Sequence, residues 1–393
     1  MKNLNKASEI LKTSLLLGLT SFGGPAAHIG YFREEYVKKK KWLDDKMYAD
    51  IVALCQFLPG PASSQVGIAI GLMRGGLLGG ILSWIGFTLP SVLLLMGFAW
   101  LISSSGSFDI GWIKGLKIVA VAVVAHALLG MGKSLTPDRP RITIALATAI
   151  LTVLIPTAVG QIAIIAGAGL IGFGLYRKEE APVPASIHLS FGKRTGVAAW
   201  TIFFVLLIGI PAIRSYFHNA TIAIFDTFYR VGSIVFGGGH VVLPMLEREV
   251  VPAGWMDAET FIAGYGAAQA VPGPLFTLSG YLGQLMNGPS GAVVAVVAMF
   301  LPSFLLVIGT LPFWSAIRSK IGIQAALKGV NAGVVGILLA ALYDPVFTSS
   351  IIQPIDFAIA VIAFGLLQYY KVAPWLVVLV TAILGALSHL FFG

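Results

Sequence analysis

Apolar residues run along this chain in long blocks separated by short polar breaks. The blocks span roughly 8–31, 48–73, 77–102, 111–132, 141–156, 160–176, 196–213, 219–246, 258–286, 291–312, 322–343, 351–369 and 374–391. Several reach the roughly 20 residues that a helix needs to cross hydrocarbon, and two fall short of it. Only helices or closed barrels satisfy the backbone in lipid, and blocks of this length predict helices. The expected fold class is an all-α polytopic membrane protein.

Four helix-breaking clusters interrupt these blocks from within. Ser21-Phe22-Gly23-Gly24-Pro25-Ala26-Ala27-His28 is echoed by Val235-Phe236-Gly237-Gly238-Gly239-His240. Gln56-Phe57-Leu58-Pro59-Gly60-Pro61 is echoed by Gln269-Ala270-Val271-Pro272-Gly273-Pro274. The echo extends along both halves at offsets of 212 to 214: Glu35 meets Glu249, Trp42 meets Trp255, Leu89-Pro90-Ser91 meets Leu301-Pro302-Ser303, and Lys114-Gly115 meets Lys328-Gly329. Rare residue types in register over this length predict an internal duplication. The expected organisation is a first repeat at 1–176, a linker at 177–195, a connecting helix at 196–213 and a second repeat at 214–393. Met1–Thr20 has the form of a signal peptide, but its counterpart in the second half predicts a structural segment.

Composition strengthens this picture. Hydrophobic residues make up 57% of the 393 residues and charged ones 11%, against about 25% charged in an average soluble domain. Mean hydropathy is +0.89. The single cysteine, Cys55, excludes an internal disulfide, and no Cys/His cluster suggests a metal or cofactor.

The net charge of +9 orients the chain rather than implying a nucleic-acid partner, since basic loops mark the cytoplasmic side. With the N-terminus cytoplasmic, Arg74, Lys133, Arg139, Arg141, the linker, Arg318, Lys320 and Lys371 fall inside. Each copy holds six blocks and one unpartnered block joins them, so an odd count predicts a second copy inverted in the membrane. Lys38, Lys39, Lys40 and Lys41 also fall inside if the first two blocks of each copy are re-entrant hairpins. That gives nine crossings and four hairpins, in preference to thirteen crossings.

A half-helix ending within the membrane presents unpaired N–H groups and partial positive charge, which suits an anion. Broken helices at matching places in two halves point to a transporter's binding site. The candidate substrate-binding residues at the breaks are Gly23, Gly24, His28, Gln56, Pro59, Gly60, Pro61, Ser63 and Ser64, with Gly237, Gly238, Gly239, His240, Gln269, Pro272, Gly273, Pro274 and Thr277. Glycine permits close approach; the hydroxyls, amides and imidazoles supply donors. The intramembrane cations Lys114, Lys328 and Arg230 are further candidates, weighed against snorkelling for the lysines and pairing with Asp226 for Arg230. Glu35 and Glu249 are expected in salt bridges, and His126 as a satisfied interior group.

The paired FGG and PGP motifs, with the repeated Lys-Gly, resemble the long, two-domain members of the chromate ion transporter family. That resemblance implies an inner-membrane exporter of chromate, a tetrahedral dianion shaped like sulfate, conferring chromate resistance. Sulfate as a second substrate, a proton or counter-ion as driving partner, and a homodimer are all compatible with it. The sequence lacks the Gly-x-x-x-x-Gly-Lys-Ser/Thr motif of nucleotide-driven pumps, so secondary transport is expected. An intramembrane lipid-phosphate hydrolase and an anion channel are the alternatives.

Overall fold

The computed structural model describes residues 2–21, 24–104, 111–155, 157–177, 191–217, 219–235, 241–314 and 320–392. Gly23, Gly237, Gly238, Gly239 and His240, with most of the 177–195 linker, lie outside the described residues. Among the described residues the chain is helical, with no strand.

The first break separates α1 (Lys2–Thr20) from α2 (Gly24–Phe32), which continues as a π-helical stretch over Arg33–Lys39. The chain doubles back here. Glu9 near the start of α1 pairs with Arg74 and lies 3.9 Å from Lys40, and Ser14 reaches Tyr36. Residues 31 apart in sequence therefore sit side by side, and α1 and α2 form the two arms of a hairpin.

The second break behaves the same way. Asp44 caps α3 (Asp45–Phe57) by accepting from the Met47 amide, as favoured at an N-cap. Beyond the Pro-Gly-Pro break begins α4 (Ala62–Ser104), which is two antiparallel arms rather than one rod. Gly75 and Gly76 leave helical geometry, Gly76 with φ 62° and ψ −155°, a region essentially restricted to glycine. Ser83 then donates to the Gly67 carbonyl, and a Cβ on Gly71 would lie 2.4 Å from the Gly79 oxygen. Only glycine allows the arms to come this close.

The following helices are α5 (Gly111–Leu135), α6 (Arg139–Leu154), α7 (Ala158–Tyr176) and α8 (Lys193–Tyr216). The second half repeats the pattern with α9 (Ala220–Ile234), α10 (Val242–Val250), α11 (Ala258–Ala270) and α12 (Leu278–Thr310), then α13 (Ile321–Ala341), α14 (Pro354–Gln368) and α15 (Pro374–Phe392). Arg230 on α9 pairs with Glu249 on α10, closing one hairpin, and Tyr281 of α12 donates to the Thr260 carbonyl of α11, closing the other. Asp257 caps α11 as Asp44 caps α3. α12 doubles back at Asn287 and Gly288, whose φ and ψ of 61° and −157° nearly reproduce those of Gly76.

The two halves are interleaved. α5 packs on α15 and α14 of the second half, and α13 packs on α7 and α6 of the first. A Cβ on Gly115 would lie 2.2 Å from the Thr381 oxygen, and one on Gly329 would lie 2.0 Å from the Ala168 oxygen. The repeated Lys-Gly pair therefore marks two equivalent helix crossings, where small residues let backbones touch.

Among the described residues, six helical stretches are long and apolar enough to cross a membrane, although Ala62–Ser103 and Leu275–Phe313 among them fold back on themselves. Large apolar side chains turn outward, including Leu154, Leu170, Ile208 and Leu390. A soluble protein rarely presents such a surface; in a multi-pass membrane protein it meets lipid.

Candidate functional site

The tips of all four hairpins meet. The Gly60 amide of the first Pro-Gly-Pro donates to the Val235 carbonyl ahead of the second Phe-Gly-Gly, at 2.6 Å. Reciprocally, the Gly273 amide donates to the Ser21 carbonyl ahead of the first, at 2.8 Å. Both glycines have positive φ, 114° and 98°. Each faces a serine of the opposite half: a Cβ on Gly60 would lie 2.6 Å from Ser303 Oγ, and one on Gly273 would lie 2.9 Å from Ser91 Oγ. Each Pro-Gly-Pro loop is thus threaded between the break and the Leu-Pro-Ser segment of the other half.

This differs from the expected chemistry in one respect. The Gly60 and Gly273 N–H groups are not open to an anion, because they stitch the halves together. A carbonyl exposed at a broken helix needs a donor, and the opposing loop supplies it. The donors left over are side chains.

His28 is 1% exposed, with Nδ1 3.2 Å from Ser63 Oγ and its ring edge-on to Phe87, 5.4 Å between centroids. Phe87 also places its carbonyl beside Gly273. Among the described residues, His28 Nε2 has no hydrogen-bond partner within 3.5 Å, and neither do the buried Ser21 Oγ, Ser64 Oγ and Gln269 Nε2. Gln65, fully buried, donates through Nε2 to the Pro59 carbonyl at 2.6 Å and to Ser303 Oγ at 3.4 Å, and its Oε1 is also unpartnered. Buried polar atoms without partners are costly in a native protein and ask for an explanation. Five of them gathered around four helix breaks are well suited to a polar guest. None of these side chains carries a formal charge, apart from any proton that His28 takes up.

The other candidates divide. Pro59, Pro61, Pro272 and Pro274 shape the loops, and Gly24 begins α2. Thr277, though buried, returns its hydroxyl to the Pro274 carbonyl at 2.7 Å, and Gln56 is exposed, unlike its counterpart Gln269.

The cations are engaged elsewhere. Arg230 grips Glu249 with two bonds of 2.9 and 2.8 Å and reaches Asp226 at 3.0 Å, while Arg214 takes the other Asp226 oxygen at 2.7 Å. Two positive and two negative charges close this network, so Arg230 joins helices rather than offering a free charge. Lys114 pairs with the fully buried Asp356 at 2.8 Å, at the start of α14. Lys328 lies 5.2 Å over the Tyr176 ring, within cation–π range. His126 meets Gln368 Oε1 at 2.8 Å, and Glu35 meets Lys39.

Ser91 and Ser303 lie outside the break motifs, whereas Ser21 and Gln65 stand within or directly after them without being counted among the candidate ligands. The duplicated Leu-Pro-Ser was a usable signal for two of them; Ser21 and Gln65 have no polar echo in the second half.

Comparison with known proteins agrees with this architecture. A chromate transport protein of Pseudomonas aeruginosa is 27% identical over 342 residues, covering 86% of this chain and 80% of its own length. One of Cupriavidus metallidurans is 27% identical over 387 residues, covering 97% and 93%. An uncharacterized transporter of Methanocaldococcus jannaschii is 27% identical over 392 residues, covering 98% and 95%. No solved structure matches significantly. The family profile described as "Chromate transporter" matches twice, at residues 8–173 and 222–386, once in each half. With both halves matched, the chain belongs to the chromate transporter family.

Proposed function

We propose that the chain is a secondary carrier that exports chromate or a similar tetrahedral oxyanion across the cytoplasmic membrane, and so confers resistance to it. The convergence of four helix breaks on a nest of unpartnered buried donors supports this reading most directly. A tetrahedral oxyanion offers acceptors in every direction, and Ser21, His28, Ser64 and Gln269 offer donors.

The same nest favours a carrier over a channel. Ser21, His28, Ser64 and Gln65 are each no more than 1% exposed, so an ion reaches them only after the hairpins part. Two inverted repeats meeting at their tips would provide this by rocking against each other. In that arrangement the N-terminus, the 38–41 lysines and the 177–195 linker are cytoplasmic, and the first and second repeats extend over 1–176 and 214–393. The His28–Ser63 contact has the form of a base and a nucleophile, but a hydrolase also needs a group orienting the base and a cationic clamp. Neither is found around it among the described residues.

Uptake of labelled chromate into inverted membrane vesicles, with and without a pH gradient, tests the proposal. Saturable, gradient-dependent uptake that Gly60→Leu or Gly273→Leu abolishes is expected. Undiminished uptake in both variants contradicts it.

A further inference from the structure

Apart from Gln269, the polar nest is built from the first half. His28 aligns with Val242, Ser63 with Phe276, Ser64 with Thr277 and Gln65 with Leu278. Val242, Phe276 and Leu278 are all buried, and Thr277 bonds its own loop. The pseudo-equivalent place in the second half is therefore lined by apolar side chains, which leaves one such nest among the described residues.

Within that site, Gln65 has a fixed orientation. The Pro59 carbonyl can only accept, so the amide nitrogen must face it. Oε1 is then left as a buried acceptor with no donor among the described residues. A fully deprotonated tetrahedral dianion presents acceptors alone and would repel it. A monoprotonated anion presents one O–H that would satisfy it.

Charge points the same way. Cations flanking the breaks are held by carboxylates, Arg33 by Asp45, Arg74 by Glu9, and Arg230 by Glu249 and Asp226. The Born cost of burying an ion grows with the square of its charge, so a dianion in this neutral nest costs about four times as much as a monoanion.

On the reading that this nest is the oxyanion site, we propose that it takes the monoprotonated, singly charged form of the oxyanion, with Gln65 Oε1 accepting the anion's own proton. Gln65 is then the specificity-determining residue. Chromate is a strong enough base to be partly protonated near neutral pH, whereas sulfate and selenate are too weak. A site that pairs a substrate O–H discriminates strongly against analogues lacking it. Export would carry one proton out with each anion.

The titratable group in contact with the nest is His28 on α2. On the elements packed around it, Glu9 of α1 is held by Arg74, Asp45 of α3 by Arg33 and Glu259 of α11 by Lys117. Asp50 and Tyr265 have partners of their own, Tyr36 meets Ser14, and Cys55 is a buried thiol on α3.

Equilibrium binding of radiolabelled chromate and of selenate to the purified full-length protein, from pH 6 to pH 8.5, tests this. Chromate affinity should fall about tenfold per pH unit once the protonated form is the minority species, because only the competent fraction binds. Selenate should bind weakly at every pH. Were His28 protonation the cause instead, selenate would show the same slope, and the proposal would fail. Equal, pH-independent affinity for both ions would also overturn it while leaving the oxyanion site standing. No binding of either ion at any pH would remove the carrier reading itself, and this inference with it. Gln65→Leu, which installs the residue the second half uses at the equivalent position, should weaken chromate binding roughly tenfold or more and erase the preference over selenate. Undiminished, still selective binding in that variant contradicts the assignment.

Discussion

Gly60 and Gly273 show how a single residue can join two halves of a chain. Each combines a φ that side chains avoid with a neighbouring serine that a Cβ would strike. Strain at such a position costs on the order of 1–3 kcal/mol, so Gly60→Ala should lower the melting temperature in detergent. Ser303→Ala should restore part of the loss by removing one close contact, while the φ strain and the 2.8 Å approach to Gln65 Nε2 remain. Full restoration, or no loss at all, would show that the loop is not held as described.

Arg230 can be judged by the same logic. Its planar fork matches Glu249 in a way that lysine cannot. Arg230→Lys should therefore destabilise nearly as much as Arg230→Gln. The double variant Arg230→Gln with Glu249→Gln should recover stability and keep chromate binding within about twofold, since no unpaired buried charge remains. Loss of binding in that stable double variant would make Arg230 a substrate ligand after all.

Among the elements, the long helices α4 and α12 turn back at Gly75-Gly76 and Asn287-Gly288, which fall in the short gaps between apolar blocks 48–73 and 77–102 and between 258–286 and 291–312. The breaks at Phe-Gly-Gly and Pro-Gly-Pro were legible because glycine and proline interrupt otherwise apolar blocks, and their duplication was legible as a constant offset. The gap at Asn287-Gly288 was legible as a block boundary, but not as a reversal, since a glycine between apolar stretches often only kinks a helix. Nothing lies within 4 Å of a Cβ on Gly288, yet its φ is 61°. Gly288→Ala should thus destabilise by about 1–3 kcal/mol through backbone strain alone, measured by thermal unfolding. An unchanged melting temperature would mean that the arms of α12 do not turn at this residue.

The partners across the interleaved halves were not legible. Lys114 finds Asp356, and Gln65 finds Ser303, over 238 or more residues of chain. Periodicity constrains neighbours along a helix, not which helices a swapped packing brings together. The amides of Gly60 and Gly273 were expected to face an anion; they face carbonyls because each broken end is closed by the opposite loop.

For the whole molecule, the reciprocal contacts describe two copies exchanging equivalent bonds around a common centre. Such exchange suits an inverted pair, and labelling can test the inversion. Lys40 and Ala253 are exposed and occupy equivalent positions, each in the turn that follows its half's first hairpin. In a Cys55→Ala background, Lys40→Cys should react with a membrane-impermeant thiol reagent only from the cytoplasmic side, and Ala253→Cys only from the outside. Reaction of both from one side would mean that the two repeats are oriented alike.

The most direct measurement is anomalous scattering from chromium in crystals of the protein with bound chromate. The predicted peak lies among Ser21, His28, Ser64, Gln65 and Gln269, where the four hairpin tips meet. A peak instead beside Arg230 and Glu249, or beside Lys328 and Tyr176, would contradict the account.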